Sequence, residues 1–406
     1  MRVMIVGGGF IGGHLAGRLR AEGYSVTVAG RCGADIVCDL ACDDAAVWTE
    51  RLRNYDALVN CAGVLAAGAD YDGVHTRGPI ALFDGAVQAG VARVVQISSL
   101  GAADGITAYH RSKRAADEHL TMLGLNWAIV RPSLVVGRGG GSTGLFSALA
   151  VLPLMPDIGG GLVQPIAIDD LVEVIWRLLQ RPLPMGLVVN AVGPDRMRIM
   201  DLMIMLRRWL GLGTASSLPV PRWMLRAVAL LGIGPMTRDS LTMLEAGNVA
   251  AVEPLVAALG FVPQTVPQFL ANHPATQGDV LAARLLPMEP LLRGLLAAVW
   301  LAGGLVPLQL TPMASNTHLL ARLGLTGTAA IGTVWAGSLA DMAVSLALIL
   351  RRRGAALAGV ALMSVYSLIL SVIAPELWAD PFGALVKNLA VLGLSLAVHA
   401  MEKPHG

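Results

Sequence analysis

The run VMIVGGGFIGGHLAGRL, residues 3 to 19, sets a glycine-rich loop between an apolar segment and one of helical period. Gly7, Gly9 and Gly12 fit the pattern G-x-G-x-x-G, and Phe10 and Ile11 lie inside the loop. In such a loop the first glycine suits the tight turn, the second lets backbone approach a pyrophosphate, and the third lets the helix pack closely. The helix N-terminus then offers free N–H groups to phosphate. Strand, loop and helix in that order commit the chain to a dinucleotide-binding α/β start, and the N-terminal MRVMIVGGG, with one arginine and a short apolar run, reads as a first strand rather than a signal segment.

The pattern continues that way to about residue 280. Apolar runs at Val3–Val6, Ser25–Ala29, Ile36–Cys38, Ala57–Asn60, Arg93–Ile97 and Trp127–Val130 alternate with helical segments such as Val74–Ala89 and Ala108–Leu123. Alternation of this kind predicts a Rossmann-type doubly wound parallel sheet. Helices over Ile199–Leu210 and Arg238–Glu245 form a small C-terminal lobe. The expected division is a cofactor core over 1–135, a substrate lobe over 136–280, and a membrane domain over 285–403.

After Arg284 the chain changes solvent. Apolar runs at Leu291–Leu308, Gly327–Leu350, Ala355–Ala374 and Phe382–Met401 each approach the ~20 residues needed to cross a bilayer, so an all-α four-helix transmembrane domain is expected. Gly303, Gly304 and Pro307 weaken the far end of the first. Arg284, Arg293, Arg351–Arg353 and Lys403 flank one side, against Arg322 on the other, which places the termini and the N-terminal domain in the cytoplasm of a bacterial-type inner membrane. A net charge of +2 gives no basic field for nucleic acid. Cys32, Cys38, Cys42 and Cys61 match no zinc spacing and read as reduced small hydrophobes of a cytosolic domain; no metal is expected.

At the end of the second strand, TVAGRC carries Arg31 and no acid. A guanidinium suits a 2′-phosphate, so NADP(H) is favoured over NAD(H); the plainer reading of Arg31 is an exposed loop cation. Farther on, Tyr109 and Lys113 stand four residues apart in AYHRSK, on one face of a helix. The chain has only three lysines, Lys113, Lys387 and Lys403.

With NCAG at 60–63, ISSLGA at 97–102, YHRSK at 109–113 and RPSLVVG at 131–137, residues 1–280 resemble the extended or atypical branch of the short-chain dehydrogenase/reductase superfamily, the epimerase/dehydratase-like proteins. QPIAIDDLVEVI and PMTRDSLTMLEAGN are similar to the group around the nucleotide-binding accessory subunit of respiratory complex I. The membrane half resembles small four-helix DoxX-like proteins. The resemblance implies an oxidoreductase in which Tyr109 is the proton donor or acceptor. Lys113 would hold the nicotinamide ribose and lower the Tyr109 pKa, and Ser99 would bond the reacting oxygen, with Ser98 as the alternative. It further implies Asp39 and Leu40 beside the adenine, and Asn60, Ala62 and Gly63 along the cofactor. Arg131, Pro132 and Ser133 would close over the nicotinamide. Asp39 reads equally as a plain turn residue.

Two features depart from the family. The glycine loop is one residue short of Gly-x-x-Gly-x-x-Gly, and His75 stands where relatives often have Asn, either altering the proton path or serving as an ordinary helix residue. The expected substrate region, GRGGGSTGLFSALAVLPLMPDIGGG, offers only Arg138, Ser142 and Thr143 as polar contacts, which with the membrane anchor suggests a lipophilic substrate. Two rivals stand beside this oxidoreductase: a non-catalytic NADP(H)-binding scaffold or sensor of a membrane complex, and an epimerase or dehydratase. An oligomer or membrane-complex partner, and lipid, complete the expected contacts. WMLRAVALLGIG at 223–234 suits either the membrane surface or the lobe's core. Asp341 and Lys387 are the conspicuous ionisable residues inside the spans.

Overall fold

The computed structural model describes residues 1–66, 68–180, 186–231, 237–381 and 383–402. Phe382, Lys403 and the 232–234 end of WMLRAVALLGIG therefore lie outside the described residues, as do the first two residues of PMTRDSLTMLEAGN. The chain divides into two compact units, one over Met1–Ala283 and one beginning at Arg284.

In the first unit, β1 (Arg2–Val6), β2 (Ser25–Gly30), β3 (Ile36–Val37), β4 (Ala57–Asn60), β5 (Arg93–Ile97) and β6 (Trp127–Pro132) join one sheet. Two short parallel ribbons follow, β7 (Val135–Val136) with β9 (Ile166–Ala167) and β8 (Leu154–Asp157) with β11 (Ser216–Pro219). The sheet is completed at its far edge by β10 (Leu187–Ala191), giving seven strands in the order β10-β6-β5-β4-β1-β2-β3, all parallel. Between β1 and β4 the winding reverses, which opens a crevice at the strand ends where such sheets take ligands.

Side-chain alternation explains the apolar strands. Val3 and Ile5 face one core with α1 (Phe10–Ala21) and, later in the chain, α5 (Gly141–Ala150), α6 (Ile168–Gln180) and α7 (Ile199–Trp209). Met4 and Val6 face the other, against α2 (Ala45–Leu52), α3 (Gly78–Ala89) and α4 (Ala108–Met122). A strand buried on both faces has no polar side, so its sequence reads as a continuous apolar run. The lobe adds α8 (Arg222–Leu231), α9 (Arg238–Ala246), α10 (Glu253–Leu259) and α11 (Val266–Asn272).

Three helical segments, two of them wholly in the second unit and the first beginning at Gln277, are long and apolar enough to cross a membrane. They are α12 (Gln277–Leu305), continued by a π-helical turn to Leu310, α14 (Gly327–Ile349) and α15 (Ala355–Ile373). A short helix, α13 (Met313–Ala321), precedes α14. The expected fourth span is a 14-residue helix, α16 (Lys387–Ala400), about 21 Å at 1.5 Å per residue and short of a ~30 Å hydrocarbon core. Pro381 and the left-handed Gly383 (φ 67°) precede it. The unit is apolar outside, with Leu368 69% and Val372 76% exposed, while Ser338, Asp341, Ser345 and Ser395 are buried within it.

Gly303 and Gly304 do not break α12. A Cβ on Gly303 would lie 2.7 Å from the Asp341 carboxylate, and one on Gly304 would lie 2.6 Å from the Ser338 carbonyl. Their smallness lets α12 approach α14 closely, the use small residues have between membrane helices. Lys387 is exposed at the start of α16, and no ion pair joins it to Asp341 among the described residues. Arg293 is buried with Glu289, at 2.6 Å, and Arg322 pairs with Glu376.

Candidate functional site

Gly7 follows β1 with φ 96°, and a Cβ there would meet the Ala62 backbone nitrogen at 2.7 Å. Only glycine allows both the turn and this approach of the β1 and β4 loops. At Gly12 a Cβ would lie 2.0 Å from the Gly7 carbonyl oxygen, so helix and loop touch through backbone alone. Gly9, the N-cap of α1, has open space where a Cβ would be, no side chain caps the helix, and its first turn has no acid. An uncapped helix end facing open space fits a pyrophosphate. An open cavity of about 340 Å³ lies there, lined by Gly9, Phe10, Gly13, His14, Arg138 and Gly139.

The catalytic candidates converge at the ends of β4 and β5. Thr107 caps α4 by accepting from the His110 N–H, and the helix turns Lys113 inward, 3% exposed. Its Nζ donates to the carbonyls of Ala62 (3.0 Å) and Ile97 (3.1 Å). An ammonium has three donors, so one is left over. Burial pulls the Lys113 pKa down to about 8, against the opposing pull of Asp117. Gly63 lies close enough that a Cβ would sit 3.2 Å from Nζ. Asn60 is fully buried, donating to Gln96 Oε1 (2.8 Å) and accepting from the Ala62 N–H (3.1 Å), which fixes the loop that receives Lys113.

The Ser99 side chain lies near enough to the Tyr109 phenol to favour its phenolate. Burial pushes the Tyr109 pKa up, and Ser99 opposes it. Desolvation of the phenolate sets the direction, and a lowering of Tyr109 by Lys113 is not found in the protein alone. Ser98, the alternative to Ser99, is otherwise engaged: its hydroxyl donates to Asp117 Oδ2 at 2.8 Å. The same carboxylate takes the Arg131 guanidinium at 3.1 Å. Arg131 is thus tied to α4 through Asp117. Ser133 donates to the Asn248 carbonyl, and the Pro132 carbonyl accepts the Leu100 N–H.

Asp117 had not been anticipated, yet Tyr109, Lys113 and Asp117 recur at i, i+4, i+8 on one helix face. Also unforeseen was the π-helical turn Gly73–Arg77 ahead of α3, which buries His75. Such turns frequently mark functional sites. Val64 N–H donates to His75 Nε2 (2.9 Å), so the ring proton is on Nδ1, which lies 3.1 Å from Ser112 Oγ. Ser112 in turn donates to the Tyr109 carbonyl. With both nitrogens occupied and its pKa pulled down to about 3 by burial and Lys113, His75 stays neutral and orients α4. The ring packs between Tyr71, stacked at 5.4 Å, and Tyr109, edge-on at 5.2 Å. From α9, Asp239 accepts the Tyr109 backbone N–H at 3.1 Å, tying the lobe to the catalytic helix.

Arg31 is exposed and makes no hydrogen bond or ion pair among the described residues. Asp35, in the next loop, is occupied by the Val28 N–H and Arg20. The Asp39 carboxylate accepts the Ala41 N–H of its own turn, and Leu40 is buried in the core. Cys38 is buried, but Cys32 and Cys42 are exposed, so only part of the cysteine set is packed. Arg138 pairs with Asp279 at 3.0 Å, and Thr143 accepts the Gly137 N–H.

A parallel sheet with an uncapped glycine loop at its switch point is the arrangement of a dinucleotide-binding domain. Residues 3–190 match the NAD dependent epimerase/dehydratase family, and residues 297–396 match the DoxX-like family. No curated protein matches the chain. Among solved structures, MoeE5 in complex with UDP-glucuronic acid and NAD is 22% identical at a TM-score of 0.55, covering 67% of this chain and 97% of that one. The UDP-glucuronic acid 4-epimerase from Bacillus cereus, with UDP-glucuronic acid and NAD, is 16% identical at 0.54, covering 70% and 100%. TunA, an NAD-dependent NDP-hexosamine 5,6-dehydratase, is 18% identical at 0.53, covering 67% and 95%. At these identities the likeness establishes the fold.

The Lys113 environment gives a pH test. Folding holds the Lys113 pKa at about 8, below its ordinary 10.5. Between those values the unfolded chain binds more protons, so the Lys113 contribution to stability rises with pH there. Nucleotide affinity is expected to go the other way, falling about tenfold per pH unit above 8 as the ammonium is lost. Fluorescence titration of nucleotide across pH 7–10 checks this, and the decline should vanish in Lys113→Met.

Proposed function

We propose that the N-terminal unit is an NADP(H)-dependent oxidoreductase acting on a carbonyl or hydroxyl group of a lipophilic substrate. The observation that carries the reading is the buried Lys113 ammonium, satisfied by two backbone carbonyls with one donor to spare, one helical turn from the Tyr109 phenol. Gly7, Gly9, Gly12, Asn60, Ala62 and Gly63 would hold the nucleotide, which supplies hydride transfer when bound. Ser99 positions the reacting oxygen, Tyr109 moves its proton, and Lys113 anchors the adjoining ribose. Arg31, without a partner among the described residues, would take the 2′-phosphate.

The lobe supports an amphiphilic substrate. A cavity of about 200 Å³ is walled by Ile158, Pro219, Val220, Leu225 and Leu241, with Asp157, Arg222 and Glu245 as its charged members. None of its lining residues is Ser99, Tyr109 or Lys113; it runs along α9, whose first turn touches Tyr109 through Asp239. A second reading, epimerase or dehydratase chemistry on a nucleotide sugar, draws on the UDP-sugars named with the similar structures. The DoxX-like unit anchors the enzyme in the membrane, with the N-terminal unit on the cytoplasmic side.

Full-length protein titrated with NADPH and NADH tests the cofactor. NADPH is expected to bind more tightly, and Arg31→Ala to weaken it about 10- to 100-fold while leaving NADH unchanged. Tighter NADH binding by the unaltered protein would overturn the Arg31 assignment. Turnover of lipophilic carbonyl compounds against UDP-sugars separates the two chemistries; nucleotide binding with no turnover on either panel points to a binding protein.

A further inference from the structure

Helix α8 carries an exposed face of which only Arg222, at the wall of the lobe cavity, belongs to the proposed substrate site. Its sequence, RWMLRAVALL, has no acid. Leu225 and Ala229 are buried against Leu241, with Ile158, Val220 and Leu244 around them. Away from that contact, Trp223 is 71% exposed, Leu230 60% and Met224 39%. At ~100° per residue, Arg222, Arg226, Leu230 and Trp223 fall within one arc of roughly 100°. Neither Arg222 nor Arg226 has a hydrogen-bond or ion-pair partner among the described residues, though Arg222 shares a cavity wall with Glu245. The strand leading into the helix adds Leu218, 53% exposed.

We propose that this face of α8 docks on an anionic phospholipid surface. Tryptophan favours the boundary between headgroup and acyl chain, where its ring is buried and its N–H stays wet. Arginine lays its stem on apolar surface while its guanidinium reaches a phosphate. The same chain carries helices long and apolar enough to cross a bilayer, so tethering would raise the effective concentration of membrane for the rest of the chain. A second copy is a poorer occupant: an isologous contact over α8 would set each arginine pair close to its own duplicate. The inference rests on the membrane reading of the second unit and not on turnover.

The test uses the full chain in nanodiscs of phosphatidylcholine alone or with one third phosphatidylglycerol, with hydrogen–deuterium exchange read over residues 222–230. Each arginine near an anionic surface is worth about fivefold in partition. Exchange is therefore expected to slow at least fivefold in the anionic discs, and Arg222→Glu with Arg226→Glu to abolish the slowing. Both substitutions sit on the exposed face, so unchanged exchange in α9 reports an intact lobe. Brominated lipid should quench the fluorescence difference between the unaltered protein and Trp223→Phe, which checks depth without changing charge. Equal exchange in both disc types overturns the proposal. So does protection that persists in detergent and follows protein concentration, which would assign the face to a second copy.

Discussion

Tyr109→Phe is expected to lower turnover by about 10²- to 10⁴-fold, the range for loss of a positioned general acid or base, while nucleotide affinity stays within about twofold. The substitution removes one oxygen and little else. The ring keeps its edge contacts with His75 at 5.2 Å and Tyr71 at 5.9 Å. The helix keeps its Thr107 cap, and the Tyr109 backbone N–H still reaches Asp239. A loss of turnover would then belong to the proton. Burial holds the phenol above its ordinary pKa, so it is protonated through the neutral range and suited to protonate an oxyanion formed at Ser99. Steady-state kinetics on any substrate that the unaltered protein accepts, beside a nucleotide titration, check the prediction. Turnover within threefold of the unaltered protein would remove Tyr109 from the chemistry.

How far the sequence disclosed this arrangement depended on which interactions are local. The β1 strand, its glycine loop and α1 form a contiguous unit, and each glycine has a steric reason within it or against Ala62. The central strands were legible because both faces are buried. Edge strand β10 was not: its burial alternates, so LVVNA lacks the burial on both faces that marked the central strands. Likewise a 20-residue apolar run suggested a fourth full span, but the backbone turns at Gly383 and the helix starts only at Lys387. Composition there recorded the solvent, not the length of the helix.

At the site, the Tyr–Lys spacing and the serines ending β5 were visible because one helix and one strand end carry them. What lay hidden depends on pairing between distant elements. Nothing near Arg131 announces that its guanidinium turns toward α4, and the π-turn that aims His75 at Val64 and Ser112 has no signature in GVHTR. The family pattern records position along the chain, whereas the nearest buried carboxylate decides where a guanidinium points.

That carboxylate is the basis of the second large effect. Asp117→Ala is expected to destabilise the N-terminal unit by about 3 kcal/mol, the lower end for breaking a buried ion pair, since the Arg131 side chain keeps 18% of its surface in water against 3% for Asp117. It also strands the Ser98 hydroxyl, whose partner is Asp117. Asp117→Asn keeps an acceptor for both neighbours and should cost less than half as much. Thermal unfolding followed by near-ultraviolet circular dichroism reads the difference. The asparagine variant carries a further consequence that a purely structural role would not produce. Asp117 opposes the desolvation of Lys113, so removing its charge while keeping its shape should lower the Lys113 pKa further below 8. The pH at which nucleotide affinity begins to fall should then move down, with little change at pH 6. An unmoved profile in a folded Asp117→Asn protein would mean that Asp117 serves Ser98 and Arg131 alone.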